Sequence, residues 1–310
     1  MGSYAFFEGK VVPVEEAKIS IQTHAFLYGT AVFEGIRAYW VPEEEDLLIF
    51  RPREHYERLV DSGKILRMKP PYTVDEMCEI TVDILRRNGD RQDMYIRPIL
   101  YKSNLEIGPK LAGLKDDFLL FTVPMGDYVD TQRGLRVRVS SWRHTSDNAI
   151  PPRAKVNGAY VNAALAKTEA LDDGYDEAIF LTSDGHVSEG SAMNLFVVRR
   201  GKLITPPVTD EILEGITRET VIRLATEELG LEVVEREIDR TELYVADELF
   251  FVGTGAQVSP ITEVDRRPVG SGEVGPISKK IQALYFDVVR GKVPKYRRWC
   301  LSVKTGKYGA

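Results

Sequence analysis

Cysteine is scarce in this chain: two residues in 310, Cys78 and Cys300, far apart and in no metal-ligand or redox spacing. That excludes a disulfide-stapled scaffold and fits a reducing compartment with two plain thiols. A surplus of positive charge is missing as well. The 41 Lys and Arg stand against 47 Asp and Glu, for a formal net charge of -6, and the two signs alternate almost everywhere. Nucleic-acid binders carry a basic stripe. The densest basic run here, Lys295 to Arg298, is short and reads as solvated surface, so no nucleic-acid partner is expected. No apolar run reaches the length needed to cross a bilayer. Met1 to Phe7 lacks the basic-then-apolar layout of a signal peptide, and a cytoplasmic protein without membrane association is expected. Internal repeats and low-complexity tracts are absent too. Strands and helices mix without a steady βαβ rhythm, which disfavours a doubly wound nucleotide fold.

What remains is an ordinary globular composition, 43% apolar and 28% charged, in a chain long enough for two compact lobes. In the first lobe, Tyr4 to Phe7 and Val11 to Val14 flank a Glu8-Gly9-Lys10 turn and read as a hairpin. Ala31 to Trp40 reads as one strand and Leu47 to Phe50 as another. Tyr56, Leu59 and Val60 give helical spacing over Arg53 to Met68. Thr73 and Glu76 form a capping box ahead of a second helix that Asn88-Gly89 closes. Tyr95 to Tyr101 and Phe118 to Val123 complete a small α+β domain over residues 1–124. Turn formers across 125–134 mark an interdomain loop. Residues 135–310 form the larger domain. Its strands are expected at Leu135 to Val139, Ala178 to Leu181, Asn194 to Val198, Lys202 to Thr205 and Glu248 to Val252. Its helices are expected at Ala159 to Leu171, Thr217 to Leu229 and Ile277 to Val289.

Four places carry candidate chemistry. Lys155 follows Ile150-Pro151-Pro152-Arg153-Ala154 and precedes a helix. Two prolines restrict the backbone, and an amine held with a fixed aim in an apolar pocket sheds hydration and becomes nucleophilic. Taken alone, the same lysine reads as a solvated surface charge, and the case for chemistry comes from its companions. Glu189 lies in a small, apolar stretch, Gly185 to Gly190, where a carboxylate needs a partner. A salt bridge or a backbone cap serves as well as a cationic heterocycle nitrogen. Gly215-Ile216-Thr217 opens a helix, where backbone N–H groups and the dipole favour an anion. Gly253-Thr254-Gly255 follows an apolar strand and offers a second glycine-flanked hydroxyl. With a cation such as Arg58, these segments suit one phosphate monoester. Neither has the Lys-Ser or Lys-Thr pair of a nucleotide P-loop, and no metal site is expected.

In order along the chain stand Tyr28-Gly29, Val32-Phe33-Glu34-Gly35-Ile36-Arg37, Arg53-Glu54-His55, Arg58-Leu59, Tyr95-Ile96-Arg97-Pro98, Ala154-Lys155 and Ser188-Glu189-Gly190. Asn194-Leu195-Phe196, Thr205-Pro206-Pro207, Gly215-Ile216-Thr217-Arg218 and Gly253-Thr254 follow. Over nearly the whole chain this series resembles the class IV (fold type IV) pyridoxal-phosphate (PLP) aminotransferases, most closely the branched-chain amino acid aminotransferases. The resemblance implies a two-domain α+β fold whose larger domain holds a mixed sheet curled into a pseudo-barrel, and at least a homodimer. It implies PLP as cofactor, with Lys155 as the Schiff-base lysine that carries out a 1,3-proton shift. Glu189 is implied as partner of the pyridine nitrogen and Tyr160 of the phenolic oxygen. Arg58, the N–H groups of Ile216 and Thr217, and Thr254 are implied for the phosphate. Three departures are mild: Val156-Asn157-Gly158-Ala159 is less glycine-rich than in many relatives, Gly255-Ala256 stands where Ala-Ala is frequent, and Ser191-Ala192-Met193 lies in a variable segment.

The implied substrates are leucine, isoleucine or valine and 2-oxoglutarate, taken in turn by one pocket. Tyr28, Phe33 and Tyr95 would form apolar walls, Gly35 would leave room, and Arg97 would meet a γ-carboxylate. Tyr95 and Arg97 point to the same side of a strand. Without the resemblance they would read as a solvated strand face. The N–H groups of Gly255 and Ala256 would hold the α-carboxylate. A D-amino acid or R-amine transaminase, or an aminodeoxychorismate lyase, is the alternative, and loop residues near Met125 and Tyr128 would bear on the choice.

Overall fold

The structure is a computed structural model that describes residues 3–126 and 133–309. The chain divides into two compact units. The first comprises Met1–Gly126, Ala154–Gly158 and Asp287–Ala310, and the second Asp127–Arg153 and Ala159–Phe286. Two segments expected in the larger domain, 154–158 and 287–310, thus pack with the N-terminal unit. Backbone pairing explains both: Val156 bridges Val32, and the C-terminal strand Cys300–Ser302 pairs antiparallel with residues 48–50. Pairing across 120 or 250 positions leaves no local mark in a sequence. Of the loop expected over 125–134, residues 127–132, including Tyr128, lie outside the described residues.

The first unit is built on an antiparallel sheet. Its strands are β1 (Tyr4–Phe7), β2 (Lys10–Pro13), β3 (Ala31–Phe33), β4 (Ile36–Val41), β5 (Asp46–Phe50), β6 (Met94–Lys102) and β7 (Asp116–Pro124). They run in the order C-terminal strand, β5, β4, β6, β7, β1, β2, with β3 also on β6. Helices α1 (His24–Tyr28), α2 (Pro52–Ile65) and α3 (Val74–Asn88) complete it. The aromatic core gathers on Phe118, whose ring meets Phe6, Tyr56 and Tyr72 at centroid distances of 6.1, 6.4 and 5.9 Å. The predicted capping box of α3 is present, and Gly89 closes that helix in the left-handed conformation. The single strand expected over Ala31 to Trp40 is broken. Phe33 pairs with Ile99 and Ile36 with Ile96, so Glu34 falls opposite Pro98, which has no N–H to give the ladder.

The second unit holds a mixed sheet curled into a half-barrel. Its strands are β8 (Leu135–Arg143), β9 (Glu177–Leu181), β10 (Val187–Gly190), β11 (Asn194–Arg199), β12 (Lys202–Thr205), β13 (Val233–Glu235), β14 (Glu248–Gly253), β15 (Gln257–Val264) and β16 (Arg267–Pro268). The path is β10-β9-β8-β15-β14-β11-β12-β13, with β16 on β15. Among the described residues, only β8 with β9 and β15, and β12 with β13, pair in parallel. Apolar side chains alternate along these strands (Val137 and Val139, Leu195 and Val197, Leu249 and Phe251) into one buried cluster. Helix α4 (Tyr160–Asp172) lays Ala166 and Ala170 against Ala178 and Phe180 of β9. Helix α5 (Ile216–Glu227) follows β12 in the chain, and α6 (Pro276–Val289) begins in this unit. Together the units make a mixed α and β fold.

Candidate active site

In the first unit, Lys155 is held by its backbone. Its carbonyl accepts from Phe33 N at 3.0 Å, and its own N–H donates to Ser62 Oγ at 3.2 Å. Its neighbours Ala154 and Val156 are buried. The amine lies 5.1 Å from the centre of the Phe33 ring. Lys155 is therefore half-buried against an aromatic face and not a freely solvated charge.

The same ring carries a second cation. The Arg97 guanidinium sits 4.2 Å from the Phe33 centroid, and its Nη2 donates to Tyr95 Oη at 2.9 Å. Tyr95 and Arg97 do share a side of β6, as the alternation predicted. Gly35 is required here, because a Cβ on it would stand 2.2 Å from Tyr95 Oη. Tyr28 is held by a different set of contacts: its hydroxyl accepts from Gly108 N at 2.9 Å, and its ring lies against His24. Arg58 is forked onto Glu34, with Nε to Oε1 at 2.7 Å and Nη2 to Oε2 at 2.8 Å.

In the second unit, Glu189 lies on β10, a strand that the sequence reading left unassigned. It is buried. Its Oε2 accepts from Asn194 Nδ2 at 2.7 Å and from Leu213 N at 3.2 Å, and His144 Nε2 stands 3.5 Å from Oε1. Asn194 ties this corner together. Its Nδ2 also donates to Leu213 O at 2.9 Å. Its Oδ1 lies so near Gly215 that a Cβ there would approach to 2.0 Å. Gly215 is the N-cap of α5 and supplies no side-chain cap, which leaves Ile216 and Thr217 to open the helix. Asn194 pairs with Val252 on β14, and that strand turns over Thr254, Gly255 and Ala256 into β15. Glu189, the start of α5 and the 254–256 turn thus share one end of the sheet. Tyr160, half-buried, is the first residue of α4.

These groups fit PLP. A helix start without a side-chain cap and a glycine-bearing turn suit a phosphate. A buried carboxylate met by an amide, a backbone N–H and one histidine suits a protonated ring nitrogen. Arg218, next in the chain, is otherwise engaged with Pro206 O and Glu235 at 2.9 and 2.6 Å. Sequence reasoning gave no role to Asn194, His144, Glu34 or His55. All but His144 stand in the quoted motifs, and the three-residue spacing of His55 and Arg58 is a usable signal, since it puts both on one side of a helix.

The amino-transferase class IV family matches residues 31–264. This chain belongs to that family. It is 55% identical over 300 residues, 97% of its length and 96% of the other's, to a probable branched-chain-amino-acid aminotransferase of Aquifex aeolicus. It is 40% identical over 300 residues, 96% of each chain, to the branched-chain-amino-acid aminotransferase of Escherichia coli K12. Among solved structures, the branched-chain aminotransferase of Thermoproteus uzoniensis with norvaline superposes with a TM-score of 0.94 at 44% identity, covering 98% of this chain and 100% of that one. The Thermobaculum terrenum enzyme in its PLP form gives a TM-score of 0.93 at 40% identity, covering 97% and 98%. The match thus extends over nearly the whole chain in both sequence and fold.

Burial lowers the proton affinity of His144, but the hydrogen bond and charge of Glu189 outweigh it, and the imidazole titrates above its ordinary value of 6.5. A raised folded-state pKa gives stability that is complete below the unfolded value and is lost as pH rises through the folded one. The melting temperature of the wild type should therefore exceed that of His144→Gln most at pH 6, with the gap closing by pH 9. A gap that widens with pH would contradict the pairing.

Proposed function

We propose that this protein is a PLP-dependent aminotransferase that exchanges the amino group between branched-chain L-amino acids (leucine, isoleucine and valine) and 2-oxoglutarate. The observation that carries the substrate reading is Phe33. Its ring offers an apolar wall beside the Lys155 amine, and the Arg97 guanidinium rests on that same ring. A branched aliphatic side chain needs the first and a γ-carboxylate the second. The names carried by relatives at 40 and 55% identity support it.

When bound, PLP supplies an electron sink conjugated to the substrate nitrogen. In this reading Lys155 Nζ is the site of covalent attachment. With its amine free, it would serve as the base that takes the α-proton and the acid that returns one. Its pinned backbone keeps the amine within reach for both transfers. Glu189 would keep the ring nitrogen protonated, and Tyr160 would donate to the phenolic oxygen. The Ile216 and Thr217 N–H groups, Thr254 and Arg58 would hold the phosphate. The Gly255 and Ala256 N–H groups orient the α-carboxylate. Phe33, Tyr95 and Tyr28 would enclose the aliphatic side chain, with Gly35 leaving space for the Tyr95 hydroxyl.

The reading extends to a homodimer at minimum and to the cytoplasm. Ile21, Phe26, Leu105 and Ile107 are 80, 66, 61 and 85% exposed. A bridge between Thr23 and Leu105 joins the two segments that bear them, and apolar side chains grouped this way support an interface with a second copy. Both cysteines are free and buried, as a reducing compartment allows, and no helix among the described residues is long and apolar enough to cross a membrane.

Two measurements test the reaction. Mixing the PLP-loaded protein with single amino acids should discharge the visible cofactor band with L-leucine, L-isoleucine, L-valine and L-glutamate. Discharge by D-amino acids alone would overturn the substrate assignment. Arg97→Leu should cut kcat/KM for glutamate about 10- to 100-fold, the worth of a lost charged hydrogen bond, while leucine turnover changes far less; equal losses would remove Arg97 from γ-carboxylate recognition. Sedimentation should show a dimer or larger, and Ile107→Asp should shift it toward monomer.

A further inference from the structure

The first unit contains a buried ionic cluster of which the reaction above uses only Arg58. Glu34 sits at the break between β3 and β4, fully enclosed. It accepts three hydrogen bonds: from Arg58 Nε at 2.7 Å, from Arg58 Nη2 at 2.8 Å and from His55 Nδ1 at 2.8 Å. Both partners stand on α2, one turn apart. Burial works to raise the Glu34 carboxyl, but the Arg58 charge and the hydrogen bonds outweigh it and hold it well below the usual carboxylate range. Burial pushes His55 down by more than Glu34 lifts it, so the imidazole is neutral at pH 7 with its Nδ1–H turned to the carboxylate.

A plain structural tie does not call for this arrangement. Taking an ion pair out of water costs about as much as the pair returns, and apolar side chains of similar volume often serve as well or better. What a forked carboxylate adds is direction. Two parallel bonds fix the plane of a guanidinium, where one bond would let it rotate. The exposures agree: the Glu34 side chain is 0% exposed, whereas Arg58 keeps 12%. The carboxylate is wholly internal, and the guanidinium retains an outer edge.

We propose that Glu34, braced by His55, is a positioning residue that sets the guanidinium plane of Arg58 for the phosphate of the cofactor. The inference rests on the PLP reading above and adds two residues to it. The Arg58 charge is already balanced inside the protein, so its contribution to phosphate binding lies in aimed N–H groups more than in net attraction.

The test compares PLP with pyridoxal, the same ring without a phosphate. Glu34→Gln keeps size and shape but places an N–H₂ where Arg58 needs an acceptor, so the fork is lost. Dissociation constants are read from the visible absorbance and from fluorescence quenching. The variant should bind PLP about tenfold more weakly, the worth of one charged hydrogen bond, with pyridoxal binding unchanged. In an Arg58→Ala background the same substitution should add no further loss. Equal losses for PLP and pyridoxal, unchanged or tighter PLP binding, or an additive double variant would each overturn the proposal. His55→Leu, which leaves both Arg58–Glu34 bonds in place, covers the case in which Glu34→Gln does not fold. It should give the same phosphate-selective loss at smaller size, and an unselective loss overturns the proposal again. Wild-type protein that fails to bind PLP would remove the cofactor reading itself, and this inference with it.

Discussion

Phe33 donates its N–H to the carbonyl of Lys155, Val32 bridges Val156, and the Lys155 N–H goes to Ser62. Through these bonds a five-residue strip from the middle of the chain becomes part of the N-terminal unit. Apart from the 3-10 turn that begins at Asn157, the strip has no helix or strand of its own, and an unanchored lysine on it would sample many positions at an entropic cost to any reaction. Anchored, its amine faces the Phe33 ring, and so does the guanidinium of Arg97. One aromatic residue therefore meets the backbone that fixes Lys155 and, with its ring, the Lys155 amine and the Arg97 guanidinium.

In the second unit the constraint is electrostatic. A carboxylate buried like Glu189 must be met by donors that replace the water it gives up. Asn194 supplies one donor, and through Leu213 and Gly215 it also fixes where α5 begins. Its pairing with Val252 links the same corner to the strand that ends at the 254–256 turn. A single amide thus relates an acidic group suited to a cationic ring to two groups of N–H donors suited to a phosphate. The His144 imidazole, held above its ordinary pKa by Glu189, adds a proton-sensitive contact to that corner.

Much of this was legible in the residues. The capping box at Thr73 and Glu76, the helix opened by Gly215 and the shared side of Tyr95 and Arg97 all follow from local rules of spacing, and all are present. The motif order pointed to the class IV family, which the match over residues 31–264 establishes. What escaped depends on partners distant in sequence. Ala31 to Trp40 read as one strand because Pro98, which interrupts it, lies some 60 positions away. The attachment of 154–158 and 287–310 to the first unit rests on backbone pairing, which side-chain periodicity does not report. Asn194, His144, Glu34 and His55 look like ordinary polar residues until the fold shows what each one touches.

The central claim is that Lys155, and no other lysine, bonds to the cofactor. Borohydride converts a lysine–PLP imine into a stable secondary amine, which can then be mapped after proteolysis by mass spectrometry. The account predicts the phosphopyridoxyl group on the peptide that contains Lys155 and on no other. A cofactor fixed to a different lysine, with Lys155 unmodified, would contradict it.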